Sequence, residues 1–228
     1  TPHQKPNRRS ITAASALARN AYNTAPHLIY FPEVAFDTEQ FLSDVSSQLE
    51  QRNNVIIAVS EGIKDKDGNY ISATTAANDQ FGHSQLSGTG KCLELLVKER
   101  LGVKVRSIEL NVLQRCAAHI SSLTDIEESF ALGNQAVSCA EDGQTECMLT
   151  MRRISNEPYK IVIETADIKG IANEAKSIPR DWISKQGNDI MPALHEYMAP
   201  LILGEPAISY RNGLPAYLPV DHLNTISK

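Results

Sequence analysis

Val55 to Gly62 reads VIIAVSEG. A continuous apolar run that ends in small and polar residues fits a central parallel strand covered on both faces, because each face of such a strand must be apolar. That demand shapes the rest of the chain, since parallel strands need long crossovers and helices on both sides.

The flanking segments supply them. Ile11 to Tyr22 is alanine-rich and favours helix. Leu28 to Val34 (LIYFPEV) is a second apolar strand, ended by Pro32. Asp37 and Gln40 have capping-box spacing, and Phe41, Leu42, Val45 and Leu49 then line one helical face. Asp65 to Tyr70 (DKDGNY) is a surface turn with Asp67-Gly68 at its tip, and Gly82 to Gly90 is a second loop. Lys91 to Arg100 reads as helix ending before Gly102, and Val103 to Leu113 as the next strand. Thr124 to Glu127 has capping-box spacing, and Ile126, Phe130, Gly133, Val137 and Ala140 form an apolar stripe behind it. Cys147 to Ile154 and Tyr159 to Glu164 are two strands around a turn, and Ile190 to Leu203 is a last amphipathic helix. Asn212-Gly213 and Leu214-Pro215 are turn signals. The alternation predicts an α/β fold: a doubly wound, mainly parallel sheet with helices on both faces.

At 228 residues, 42% of them apolar and 21% charged, the chain can bury such a core. A formal charge of -5 argues against a nucleic-acid surface. Cys92, Cys116, Cys139 and Cys147 form no C-x-x-C pair and are expected to be buried free thiols of a reducing compartment. With no signal-peptide pattern and no apolar run of membrane-span length, the expected location is the cytoplasm, without a membrane partner.

In doubly wound sheets ligands sit at the carboxyl ends of strands. Two residues there carry chemistry. Glu61 ends VIIAVSEG, and its carboxylate can accept sugar hydroxyls, hold a metal or act as a base; equally, it can simply face water. Arg115 ends Ile108 to Arg115 (IELNVLQR), and its guanidinium suits a phosphate or carboxylate, with the small Cys116, Ala117 and Ala118 leaving room beside it. Its alternative role is pairing a structural carboxylate. His119 is more often structural in such a place. The helix start at Thr124 reads as ordinary capping, because Asp125 and Glu127 already occupy its first turn. Phe81 to Lys91 (FGHSQLSGTGK) fails the Walker spacing, since Cys92 stands where a hydroxyl residue is needed. No general base with a partner can be picked out.

FPEVAFD, VIIAVSEGI, DQFGHSQLSGTGKCLE, IELNVLQRCAAHISSLTDIEESFALGNQAV and the closing PLILGEP and YRNGLPAY occur in this order. Together they resemble phosphofructokinases, nearest to the bacterial pyrophosphate-dependent branch, from about Ile11 onward. The resemblance implies the sugar-phosphate-binding part of such an enzyme, with a phosphofructokinase-like substrate domain. The family's phosphoryl-donor site and aspartate base have no counterpart here, so no catalytic residue is assigned. The implied activity of the full enzyme is phosphoryl transfer from pyrophosphate to the 1-hydroxyl of fructose 6-phosphate, a glycolytic step. Magnesium would accompany the donor, bound mainly by the other half, and the enzyme would be a homo-oligomer. By likeness Glu61 is the sugar-binding glutamate, and Val112, Leu113, Gln114 and Arg115 form the segment whose arginine meets the 6-phosphate. The family's M-G-R motif is absent where residues 4–9 read QKPNRR. The resemblance divides the chain into an atypical lead (1–10), the α/β sugar-phosphate domain (11–205) and a tail (206–228) expected to pack on an amino-terminal domain. Apolar surface facing that domain would be exposed in this chain and promote association. The alternatives are a non-catalytic phosphosugar-binding or assembly module and an ATP-dependent phosphofructokinase.

Overall fold

The computed structural model describes residues 8–72, 88–110, 112–171 and 177–216; for residues 8–10, 114 and 115 it describes the backbone alone. At its centre β1 (Leu28–Tyr30) pairs in parallel with β2 (Ile57–Val59), Leu28 opposite Ile57 and Tyr30 opposite Val59. The crossover between them is α2 (Thr38–Gln51). Side chains alternate along a strand, so β1 divides the core in two. Leu28 and Tyr30 face one cluster with Phe36, with Phe41, Leu42 and Val45 of α2, with Ile63, and with Leu93 and Val97 of α3 (Thr89–Leu101). Ile29 and Phe31 face the other, built from Ala13 of α1 (Arg8–Ala14), Ala16, Ile178, Ile183, and Leu194 and Met198 of α6 (Pro192–Met198). Helices therefore cover both faces, as the doubly wound α/β expectation requires. The ring of Tyr30 meets Phe36 and Phe41 edge-on at 5.4 and 5.3 Å.

The fully covered strand is β1 rather than β2. All three residues of β2 are only half-buried, whereas the other edge of β1 is met by the 184–190 segment, Ile29 N donating to Asn188 O at 2.8 Å. Two antiparallel pairs complete the described sheets. β3 (Cys147–Asn156) and β4 (Tyr159–Asp167) form the hairpin read from the sequence, with an irregularity between Arg153 and Ser155. β5 (Tyr210–Arg211) and β6 (Leu214–Pro215) turn through Asn212 and Gly213, both at positive φ, as an Asn-Gly two-residue hairpin demands.

Several boundaries differ from the sequence reading for local reasons. The first helix passes into a 3-10 turn at Ser15–Ala18 rather than continuing to Tyr22, because Asn20 Oδ1 takes the N–H groups of Tyr22 and Asn23. The last helix runs only from Pro192 to Met198, followed by a 3-10 turn at Ala199–Ile202; Pro200 has no N–H to continue the ladder. The cap of α2 is half a box: Asp37 Oδ1 accepts from Gln40 N at 2.9 Å, while the Gln40 side chain donates to Asp44. In α5 (Leu123–Glu141) the cap is Ser122 rather than Thr124, its Oγ accepting from Asp125 N; the Thr124 hydroxyl donates to Leu203 O. Of the cysteines only Cys139 is buried; Cys92 and Cys147 are half-buried and Cys116 is exposed. Among the described residues no helix is long and apolar enough to cross a membrane.

Candidate functional site

Glu61 lies where the parallel strands end. Ser60 N donates to Tyr30 O at 3.1 Å, extending the β1–β2 pairing one residue beyond Val59, and the chain then turns as Ile63 N reaches back to Ser60 O. Glu61 is exposed at this turn. Its carbonyl oxygen accepts a hydrogen bond from the hydroxyl of Thr89, 2.9 Å away, and Thr89 is itself only 2% exposed. Thr89 opens α3, and the residue before it, Gly88, stands at φ +87, a conformation that favours glycine. The carboxyl end of β2 and the amino end of α3 are thus fastened together.

The same helix holds the second candidate stretch. The carboxylate of Glu94 accepts from Ser107 N at 2.8 Å, from Ser107 Oγ at 2.6 Å and from Lys91 Nζ. Those donors, Lys91 first, hold its carboxyl down to about 2. Gly90 lies under the same segment, where a Cβ would stand in ordinary contact with Ser107 Cβ at 3.4 Å. Val103 and Val105 pack on the cluster beneath α3. Exposure alternates with period two from Val103 to Ile108, as in a strand, although no ladder partner stands beside the segment among the described residues.

Arg115 does not end that strand. Val112 adopts helical dihedrals and caps α4 (Leu113–Cys116), whose turn is closed by Cys116 N donating to Val112 O at 3.1 Å. Arg115 therefore sits on a helical turn beyond the extended segment. The structure leaves Val112 and Leu113 exposed. The side chains of Gln114 and Arg115 lie outside the described residues, as does most of the expected Gly82–Gly90 loop. Sequence reasoning placed both stretches at the sheet's rim but missed Thr89 and Glu94, the residues that tie them to one helix. Thr89 directly follows Ser87-Gly88, a signal for a helix start; nothing in the pattern distinguishes Glu94 from a solvated glutamate.

His119 is exposed on a 3-10 turn. The first N–H groups of α5 are engaged, with Leu123 N donating to Gly204 O and Thr124 N to Leu203 O, which agrees with ordinary capping. Among the described residues no group of three or more His, Cys, Asp or Glu stands together to hold a metal ion.

These features define an α/β domain with helices on both faces of parallel strands, which end at an exposed glutamate tied through its backbone carbonyl to a helix amino terminus. Residues 9–140 match the phosphofructokinase family, and the chain belongs to it. It is 39% identical over 205 residues to the pyrophosphate–fructose 6-phosphate 1-phosphotransferase of Halomonas elongata, covering 90% of this chain and 49% of that protein. The solved pyrophosphate-dependent phosphofructokinase of Nitrosospira multiformis superposes with a TM-score of 0.78 at 35% identity, over 93% of this chain and 50% of that one. The corresponding structure from Marinobacter aquaeolei gives 0.75 at 32% identity, over 90% and 48%. The chain spans about half the length of the relatives it matches.

Proposed function

We propose that this chain is the fructose 6-phosphate-binding portion of a pyrophosphate-dependent 6-phosphofructokinase. The observation that carries the reading is the exposed Glu61 at the carboxyl end of β2, clasped to the start of α3, in a chain whose relatives are named for this transfer. Glu61 accepts hydrogen bonds from the sugar hydroxyls. Arg115, presented by α4 with Val112, Leu113 and Gln114 around it, pairs with the 6-phosphate. In the full reaction the 1-hydroxyl oxygen forms a bond to a phosphorus of pyrophosphate, the bridging P–O bond breaks, and orthophosphate leaves with that electron pair. The hydroxyl proton goes to a base in the companion half. Magnesium neutralises the charge on pyrophosphate in such transfers; among the described residues no group of three or more His, Cys, Asp or Glu stands together to hold it. The setting is the cytoplasm, and the whole enzyme is a homo-oligomer.

Calorimetry with fructose 6-phosphate tests the reading. The chain binds the sugar phosphate, and Arg115→Ala weakens binding roughly 10- to 100-fold, since a charge-assisted hydrogen bond is worth about 1.5–3 kcal/mol. In a coupled assay with pyrophosphate the chain alone does not turn over. No heat of binding from the wild-type chain, or equal affinity in the Arg115 variant, would sink the proposal.

A further inference from the structure

His27 stands one residue ahead of β1, and Ile56 one residue ahead of β2. Both backbone groups of Ile56 are engaged by this histidine. The Ile56 carbonyl accepts from His27 N at 2.7 Å, and Ile56 N donates to the imidazole Nδ1 at 3.0 Å. The ring thus does what a backbone carbonyl does in a regular ladder. A ring nitrogen that accepts carries no proton, so the tautomer is set: the hydrogen sits on Nε2, 3.2 Å from the Thr24 hydroxyl that receives it. Imidazolium has a hydrogen on both nitrogens and accepts nothing. Protonation therefore removes the bond to Ile56 outright.

The surroundings are set against that proton. The turn after α1 presents Arg19, and the carboxyl end of α2 presents Arg52. Arg19 is held in place, its Nε donating to Pro26 O and its Nη1 pairing with Asp189 of the 184–190 segment, each at 2.7 Å. Burial of the half-buried ring, then the charges of Arg52 and Arg19, lower its pKa from the ordinary 6.5, and the Ile56 backbone alone pulls the other way. A lowered folded value means that the bond's contribution is complete above about 6.5 and fades as pH falls below it. What the bond holds is thinly packed. Asn53, Asn54 and Ile56 are exposed and Val55 is half-buried, so little burial secures the link from α2 to β2. We propose that His27 is a pH-operated latch on the amino end of the parallel pair: the neutral ring holds residues 53–56 against β1, and the protonated ring lets them go. The opening is local, because the other end of the pair is fastened separately through Ser60 N and Tyr30 O.

Amide hydrogen exchange of the whole chain, read residue by residue by NMR, tests this. Protection factors, corrected for intrinsic exchange, are compared at about pH 7.5 and about pH 5, on either side of the histidine range. At Ile56 protection falls about tenfold or more at the lower pH, as loss of one hydrogen bond requires, while Ser60 keeps its protection. His27→Asn places an acceptor oxygen, Oδ1, where the ring has Nδ1, and it does not titrate. In that variant Ile56 is protected equally at both pH values. As a second measurement, nitrogen spectra of the wild-type ring show a neutral Nε2–H tautomer at the higher pH and a titration midpoint below 6.5. Unchanged protection at Ile56, an equal loss at Ile56 and Ser60, or a loss that persists in His27→Asn overturns the proposal. So does a neutral ring with its hydrogen on Nδ1, or a midpoint at or above 6.5. Should His27→Asn not fold, the wild-type ring spectra and the contrast between Ile56 and Ser60 decide. Neither readout uses substrate, so the latch and sugar-phosphate binding succeed or fail separately.

Discussion

Three donors converge on Glu94: Lys91 Nζ, Ser107 N and Ser107 Oγ. The carboxylate thereby holds the segment leading to α4 against α3, and its protonation is linked to that attachment. Its carboxyl lies near 2 in the folded chain against an ordinary 4.5. A lowered folded value means that its contribution is complete above about 4.5 and fades as pH falls toward 2. In Glu94→Gln that fraction of the acid sensitivity disappears. Thermal midpoints between pH 5 and 2.5 then fall less steeply than in wild type, and protease cuts residues 103–110 faster at pH 7. Identical slopes would show that Ser107 is held by other means. Thr89 works on the other side of the same helix. Thr89→Val keeps the volume but removes the bond to Glu61 O, so denaturant unfolding shows a loss of about 1 kcal/mol. If Glu61 holds the sugar as proposed, fructose 6-phosphate affinity falls with it, because the turn that carries Glu61 loses its tie to α3.

At the scale of elements, α2 shows what pattern reading reaches and where it stops. Its capping pair and its face of Phe41, Leu42 and Val45 were legible, because a side-chain cap and a helical period are both local properties. That Gln40 would turn to Asp44 instead of back to the cap was not, since it depends on a competing carboxylate one turn on. The structure therefore separates two substitutions. Asp37→Ala costs roughly 1 kcal/mol, within the 0.5–2 kcal/mol typical of a lost N-cap, whereas Gln40→Ala stays within a few tenths by chemical denaturation. The stretch around Arg115 failed for a different reason. Val103 to Ile108 has the alternation of a strand, but whether the chain then continues extended or coils depends on what lies beyond its end. In this molecule Val112 takes helical dihedrals and the arginine rides on α4. The stripe of α5 was equally legible as a period and silent about direction, because an apolar arc says that something must cover it and not what.

The whole molecule hangs on β1, three residues buried between two clusters that share no residue. Phe41 belongs to one and Met198 to the other, yet Leu28 and Tyr30 cannot leave their cluster without moving Ile29 between them. Damage on one face must therefore be felt on the other. Phe41 is 1% exposed and Met198 2%, so each substitution by alanine opens a cavity costing about 2–5 kcal/mol. That is a large share of the 5–15 kcal/mol typical of a domain. Both variants unfold in a single transition at a lower denaturant midpoint. Hydrogen exchange in Phe41→Ala accelerates in α6 as well as in α2 and α3, and the reverse holds for Met198→Ala. If protection were lost on the mutated side only, the two clusters would be separate folding units and β1 merely their boundary. The rim at Glu61, which lies just beyond the other strand of the sheet, would then inherit its rigidity from one cluster alone. With both clusters coupled, Phe41→Ala and Met198→Ala each weaken the sugar-phosphate binding proposed for the rim, although neither residue lies there.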